Sequence, residues 1–186
     1  MSAALVVAIS QAFAKELDRA GLRGSGTDPE PRGILNTPGV QKIDNGAAGA
    51  SLVGYGDLFR AAQALLQVNA PMPTAAIMSP RSIIKLGGLV DATGQPMRRP
   101  EMMKDVRLLA TPSIPDNLPT STAANASEIY TGDFTKVLFM MREQMSIQLL
   151  RKTFALNGQL AFVCHCRADV AITYPQALAV LTGVKP

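Results

Sequence analysis

The densest group of reactive side chains is Cys164-His165-Cys166, two thiols around the only histidine of the chain. Thiolates and an imidazole are metal ligands by type. The alternation around them predicts a strand, however, on which adjacent side chains point to opposite faces. The thiols then face one way and the imidazole the other, so the three do not converge on one ion. No second cysteine pair and no further histidine exist to complete a tetrahedral site. A disulfide is not expected either, because residues two apart on a strand stand about 6–7 Å apart, at or beyond disulfide reach. Reduced, buried thiols of a cytoplasmic protein are the expectation.

Other fragments lead no further. Gly24-Ser25-Gly26-Thr27 has the glycines of a phosphate loop, but that loop needs a strand before it and a helix N-terminus after it. Here a helix precedes, a proline-rich turn follows, and no Gly-Lys-Ser/Thr is present. A hydrolase would need His165 as its base, and Ser51 in Gly49-Ala50-Ser51-Leu52-Val53-Gly54 misses the nucleophile-elbow spacing by one residue. The acids Asp116 and Glu128 fall in or beside a loop that gives no reason for a raised pKa. Nothing assembles a nucleophile, a base and an oxyanion site. No catalytic, cofactor-binding or metal-ligating residue is therefore expected, and the chain does not read as an enzyme.

The composition fits building material. Of 186 residues, 47% are hydrophobic and 17% charged, enough to bury a substantial core in two small lobes. The mean hydropathy is +0.15 without any long apolar run, which points to a soluble protein that buries more surface than usual, against copies of itself for example. The net charge of +4 is scattered over pairs such as Arg19/Arg23, Arg98/Arg99 and Arg151/Lys152. It reads as a solvated surface, since no run of like charge marks a nucleic-acid tail. Leu5-Val6-Val7-Ala8-Ile9 lacks the basic lead of a secretory signal, and nothing approaches membrane-spanning length.

The elements that must carry these residues follow from periodicity. Leu5, Ile9, Phe13 and Leu17 recur every four residues and predict an amphipathic helix over 3–20, ended by Gly21 and Gly24. Its abrupt start suggests that upstream sequence has been cut away. Residues 21–49 hold seven glycines and three prolines, so turns dominate, with room for a short strand in 33–40. Asp57 is positioned to cap a second helix running to about Val68. Ala75-Ala76-Ile77-Met78 reads as a buried strand. Ser79-Pro80 then supplies an N-cap and a first-turn proline for a helix with Ile83, Ile84 and Leu86 inward, stopped by Gly87-Gly88. A turn at 92–96, a strand at 106–109 and a polar loop over 111–127 follow. From Ile129 the period becomes two. Leu160, Phe162, Cys164, Cys166, Ala168, Val170 and Ile172 form one face of a long strand with that face buried. Residues 145–149 are its expected antiparallel neighbour across a turn near Asn157-Gly158. Met140, Met141 and Met145 are expected to fill core gaps, and Met102 and Met103 to lie near a loop or a subunit contact.

Taken in order, several stretches resemble one known family. They are the first helix, Leu22-Arg23-Gly24-Ser25-Gly26-Thr27, Pro31-Arg32-Gly33-Ile34-Leu35-Asn36, Met78-Ser79-Pro80-Arg81, and the run Leu89 to Pro96. Thr111-Pro112-Ser113-Ile114-Pro115, Tyr130-Thr131-Gly132-Asp133-Phe134 and Arg167-Ala168-Asp169-Val170 complete the series. The chain resembles the major capsid proteins of tailed double-stranded DNA bacteriophages, of the Hong Kong 97-type fold, and matches their C-terminal portion.

The resemblance implies an α+β, two-lobed subunit. Its peripheral lobe would take residues 1–44, with the spine helix at 3–20, and the long strands of 135–173. Its axial lobe would take 45–134 and the return segment 174–186. It further implies a structural subunit of a phage or prophage icosahedral head, self-assembling into hexamers and pentamers. The partners would be copies of itself, packaged double-stranded DNA touched without sequence preference, and other head-assembly proteins. No cofactor and no membrane enter, and the location would be the virion, with the host cytoplasm during assembly. The family's N-terminal arm and extended loop are not matched. Loops near 92–104 and 111–127, with Arg98 and Arg99, are the expected contacts around the capsomer axis. The alternatives are the shell of an enzyme-enclosing bacterial nanocompartment and, in a different class, a small cytoplasmic enzyme with an unrecognised site.

Overall fold

The computed structural model describes residues 3–122, 124–150, 157 and 161–186. Among them, helix α1 spans Ala3–Arg23, α2 Gly56–Gln67 and α3 Pro80–Gly87. The strands are β1 (Gln41–Asp44), β2 (Ala50–Ser51), β3 (Ala75–Met78), β4 (Arg107–Ala110), β5 (Ser127–Gly132), β6 (Val137–Leu150), β7 (Ala161–Ile172) and β8 (Leu178–Lys185). Among the described residues six strands form one mixed sheet in the order β1-β8-β5-β3-β4, with β2 also on β8, while β6 and β7 pair only with each other. Within the large sheet β1 and β2 run parallel to β8 and β4 parallel to β3, and β5 is antiparallel to both its neighbours.

The large sheet is covered on both faces. Ile129, Ala179 and Leu181 turn toward Leu58, Ala61, Ala62 and Leu65 of α2 and Leu86 of α3. Tyr130, Leu178 and Val180 turn the other way, toward Leu22 at the end of α1, Ile34, Val40 and Ile114. Every residue of β5 is therefore buried, and the alternation expected from Ile129 onward is absent there. A strand buried on both faces reads as a continuous run. Val137 and Ile172, the root of the β6–β7 ribbon, pack against this second core.

Local chemistry places the helices. Ser79 caps α3 as expected, its hydroxyl accepting from the Ser82 backbone N–H at 3.3 Å with Pro80 in the first turn. Inward positions on α3 are Ser82 and Leu86, whereas Ile84 is 74% exposed. At 100° per residue, Ile84 lies on the opposite side from Ser82 and Leu86. Tyr55, and not Asp57, occupies the cap position of α2; Asp57 sits in the first turn, paired with Arg60 at 3.2 Å. Asn69 in the left-handed region, φ 57°, ends that helix. The strand expected in 33–40 is a 3-10 turn at Ile34–Asn36, and the strand begins at Gln41 instead.

Candidate functional site

Two glycine-containing motifs meet where α1 ends. Gly24 N–H closes on the Ala20 carbonyl at 2.8 Å, and Gly33 N–H on the Gly24 carbonyl at 2.9 Å. A Cβ on Gly24 would stand 2.1 Å from the Pro31 carbonyl oxygen, and one on Gly33 2.4 Å from the Gly24 nitrogen. The Asn36 side-chain amide donates to the carbonyls of Arg23 and Gly24, at 3.2 and 2.9 Å, and so occupies the open carbonyl end of the helix. Glu30 closes the loop by accepting from the Ser25 N–H at 3.0 Å and pairing with Arg19. Hydrogen bonds from Ser25, then the Arg19 guanidinium, hold its carboxyl down at about 2. These glycines serve backbone contact, and no phosphate cradle forms.

The same helix end is tied to the large sheet by charge. Glu128, buried on β5, accepts from the Tyr130 hydroxyl at 2.7 Å and lies 3.6 Å from Arg23 Nε. Burial, reinforced by the Glu128 charge, holds the Tyr130 hydroxyl protonated far above the ordinary phenol range. Asp116 is held elsewhere, by Arg81, whose Nη1 donates to its carbonyl at 3.0 Å and whose Nη2 lies 3.4 Å from its carboxylate. Each acid thus has its own arginine, and the two form no catalytic pair. Ser51 lies on β2 of the large sheet and His165 on the ribbon, so they belong to different sheets.

The ribbon gathers what the sequence singled out in its last third. β6 and β7 pair antiparallel from Val137↔Ile172 to Leu150↔Ala161, as the alternation predicts. The turn expected near Asn157-Gly158 lies, but for Asn157 itself, outside the described residues, as does Leu160. Opposed residues share a face. One face carries Phe139, Met141, Ile147, Leu149, Phe162, Cys164, Ala168 and Val170; the other carries Leu138, Met140, Glu143, Ser146, Val163, His165, Arg167 and Asp169. Both thiols are free and half-buried, and His165 points away from them, as strand geometry requires.

The apolar face is only partly covered by α1. Ser10 reaches the Met145 sulfur at 4.0 Å, and Leu17, Gly21 and Leu22 share an apolar cleft of about 420 Å³ with Phe139 and Val170. Among the described residues of the long strand only Val170 is buried, against the expectation of a buried face. Nor do Met140 and Met141 fill a core, each being 49% exposed. Phe139 at 47% and Leu138 at 46% stand beside them on opposite faces. Large apolar side chains are thus exposed on both sides of one ribbon. Contiguous exposed apolar surface marks a place where another macromolecule packs.

On the polar face, His165 Nε2 lies 2.9 Å from Glu143 Oε1 and 3.0 Å from the Ser146 hydroxyl, with Arg167 Nε 3.6 Å from Glu143 Oε2. The Ser146 hydroxyl also lies 3.4 Å from Nδ1, so it faces both imidazole nitrogens, and Glu143, His165 and Ser146 together form a polar clamp across the two strands. Sequence reasoning missed Glu143 because its place depends on a break in strand register.

At the far end of the large sheet, Arg98 is exposed, whereas the Arg99 guanidinium bonds the Val106 carbonyl. Met102 is exposed and Met103 fully buried, so this adjacent pair divides between surface and core. The 111–127 stretch is pinched by Leu118 paired with Ala126 and held to the body by the Arg81–Asp116 contacts and by Ser121 N–H on the Ala47 carbonyl at 2.9 Å.

Comparison with solved structures finds the same overall fold. The capsid of an empty GTA particle superposes with a TM-score of 0.67 at 20% identity, covering 97% of this chain and 65% of that one. A chain of Mycobacterium phage Bobi does so with a TM-score of 0.69 at 18% identity, covering 100% and 67%. The holo-SrpI encapsulin complex from Synechococcus elongatus PCC 7942 follows with a TM-score of 0.57 at 18% identity, covering 97% and 64%. The chain therefore spans about two thirds of the length of the chains it matches. No curated protein sequence matches it significantly. The family profile described as the phage capsid family matches residues 1–183, nearly the whole length. The fold is the Hong Kong 97-type α+β fold, and the chain belongs to the phage capsid family.

Proposed function

We propose that this protein is a structural subunit of an icosahedral phage or prophage head, assembling with copies of itself around packaged double-stranded DNA. The observation that carries the reading is the β6–β7 ribbon, which presents large apolar side chains to solvent on both faces in a member of the phage capsid family. A two-stranded ribbon with one face open and the other only partly covered is marginal by itself. Burial between neighbouring subunits supplies the missing cover, through heterologous contacts whose rotation closes into rings.

In this reading residues 1–44 and 135–173, with α1 and the ribbon, form the peripheral lobe, and residues 45–134 and 174–186, with α2 and α3, the axial lobe; β1, at the end of the first segment, joins the axial sheet through β8. Arg98 and the exposed turn around Asp91 face the capsomer axis. Contact with DNA is electrostatic and blind to sequence, and other head-assembly proteins are expected partners. The subunit acts in the virion and, before that, in the host cytoplasm, and it performs no catalysis. The looser superposition on the encapsulin makes an enzyme-enclosing shell the weaker choice.

The test is concentration-dependent association of the purified chain, followed by sedimentation velocity and electron microscopy. Capsomer rings or closed particles that vanish in a Leu138→Asp/Met140→Asp variant are the expected result. A chain that stays monomeric at every concentration, with its ribbon unprotected from hydrogen exchange, would overturn the reading.

A further inference from the structure

The register of the ribbon breaks twice, in immediate succession. Pairing is regular from Val137↔Ile172 to Met141↔Ala168, shifts before Glu143↔Arg167, shifts again before Ser146↔His165, and is regular to Leu150↔Ala161. Between Met141 and Ser146 the chain takes five steps on β6 against three on β7, so β6 carries two extra residues. Five residue pairs lie on the root side and five on the tip side, which puts the break at mid-length.

One extra residue reverses the faces of a strand, and a second restores them. The apolar face is therefore continuous from Met141 to Ile147, while Glu143 between the two shifts is turned onto the polar face. In an unbroken strand Glu143 would share the face of Met141 and could not reach His165. Its contacts with His165 at 2.9 Å and Arg167 at 3.6 Å belong to the bulged register alone. Ser146, the first residue past the second shift, meets the same imidazole at 3.0 Å.

A bulge bends its strand and increases local twist. Backbone pairing does not choose between bulged and slipped registers on a ribbon that has no third strand among the described residues. The side-chain hub does. Five residues of strand form a lever of about 17 Å, so a change of about 10° at the break moves the tip by about 3 Å. Packed interfaces do not absorb such a displacement.

We propose that the Glu143–His165–Ser146 contact, backed by Arg167, locks the double bulge at mid-ribbon and thereby sets the angle between root and tip that fixes the curvature of the assembled shell. The proposal rests on the shell reading above. These are positioning residues.

Two measurements on Glu143→Ala, His165→Ala and the conservative Glu143→Gln test it. In the unassembled chain, amide exchange over residues 141–147 and 163–168 should rise about fivefold in both alanine variants, the scale of losing a half-exposed charged contact. The urea midpoint should stay unchanged, because the large sheet and its two cores are untouched. In assembled material, the alanine variants should give particles of altered diameter or open sheets. Glu143→Gln keeps an acceptor for the imidazole and should retain the wild-type diameter. Unchanged exchange in the alanine variants would overturn the clamp. Raised exchange with unchanged particle diameter would overturn its control of curvature. Wild-type chain that never forms particles would defeat the shell reading and the curvature statement with it, while the exchange result still decides the clamp.

Discussion

At Gly24 and Gly33 two backbone segments touch with no room for a side chain, and this contact orients α1 against the rest of the molecule. Gly24→Ala should cost about 1–3 kcal/mol, the range for forcing atoms into a filled space, read as a lowered urea midpoint with an unchanged slope. Gly21 is the control, because a Cβ there meets nothing within 4 Å and the residue lies inside α1. Gly21→Ala should stabilise by about 0.5–1 kcal/mol through the helix preference of alanine. Glu30 carries a pH signature. Its carboxyl titrates at about 2 in the folded chain against an ordinary 4.5. A depressed folded value contributes stability that is present above 4.5 and lost as the pH falls toward 2. Denaturation against pH should show wild type losing more stability across that window than Glu30→Gln. The adjacent Arg98 and Arg99 separate in the same spirit. Arg99→Glu should destabilise the fold, because a half-buried guanidinium leaves the Val106 carbonyl. Arg98→Glu should leave the melting temperature unchanged and weaken association, as light scattering would register.

Among the elements, those legible in advance were the ones whose signals are local. The four-residue recurrence of Leu5, Ile9, Phe13 and Leu17 specifies α1, and Ser79-Pro80 specifies the start of α3, because caps and helix stripes need no knowledge of distant chain. The β6–β7 pairing followed from alternation and the turn signal expected near Asn157-Gly158. Three features escaped because tertiary contacts decide them. β5 shows no alternation, since helices and loops cover both faces of its sheet. Ile34-Leu35-Asn36 turns tightly so that Asn36 can reach the end of α1, a partner twelve residues away at Gly24. Glu143 joins His165 only because β6 gains two residues on β7, which no composition signal announces. The ribbon's exposure was also unreadable, because a period of two specifies a face and says nothing about what covers it. At this scale the prediction concerns Leu138, Met140 and Val163. Replacing any one by Asp should change stability by about 0.5 kcal/mol or less, as at other exposed positions, while reducing association by at least tenfold. Comparing thermal melts with sedimentation on the same samples separates the two effects.

Over the whole molecule, the large sheet holds both cores and the ribbon holds almost none, a division that suits a rigid body carrying an adhesive extension. The family and fold were within reach of the sequence because its motifs mark backbone necessities in a set order. Gly24 and Gly33 mark a close approach, Ser79-Pro80 a cap, and Asp133 a turn in which its carboxylate accepts from the Thr135 N–H at 3.1 Å. The assembly surface was less accessible, since it is defined by what the folded subunit leaves uncovered. The central claim is that this uncovered ribbon is where copies of the chain meet. Sedimentation velocity of the wild-type chain beside Leu138→Asp/Met140→Asp, over a wide concentration range, tests it most directly. Large species that grow with concentration in the wild type and a monomer with an unchanged melting temperature in the variant are what the account predicts. Identical sedimentation of the two proteins would contradict it.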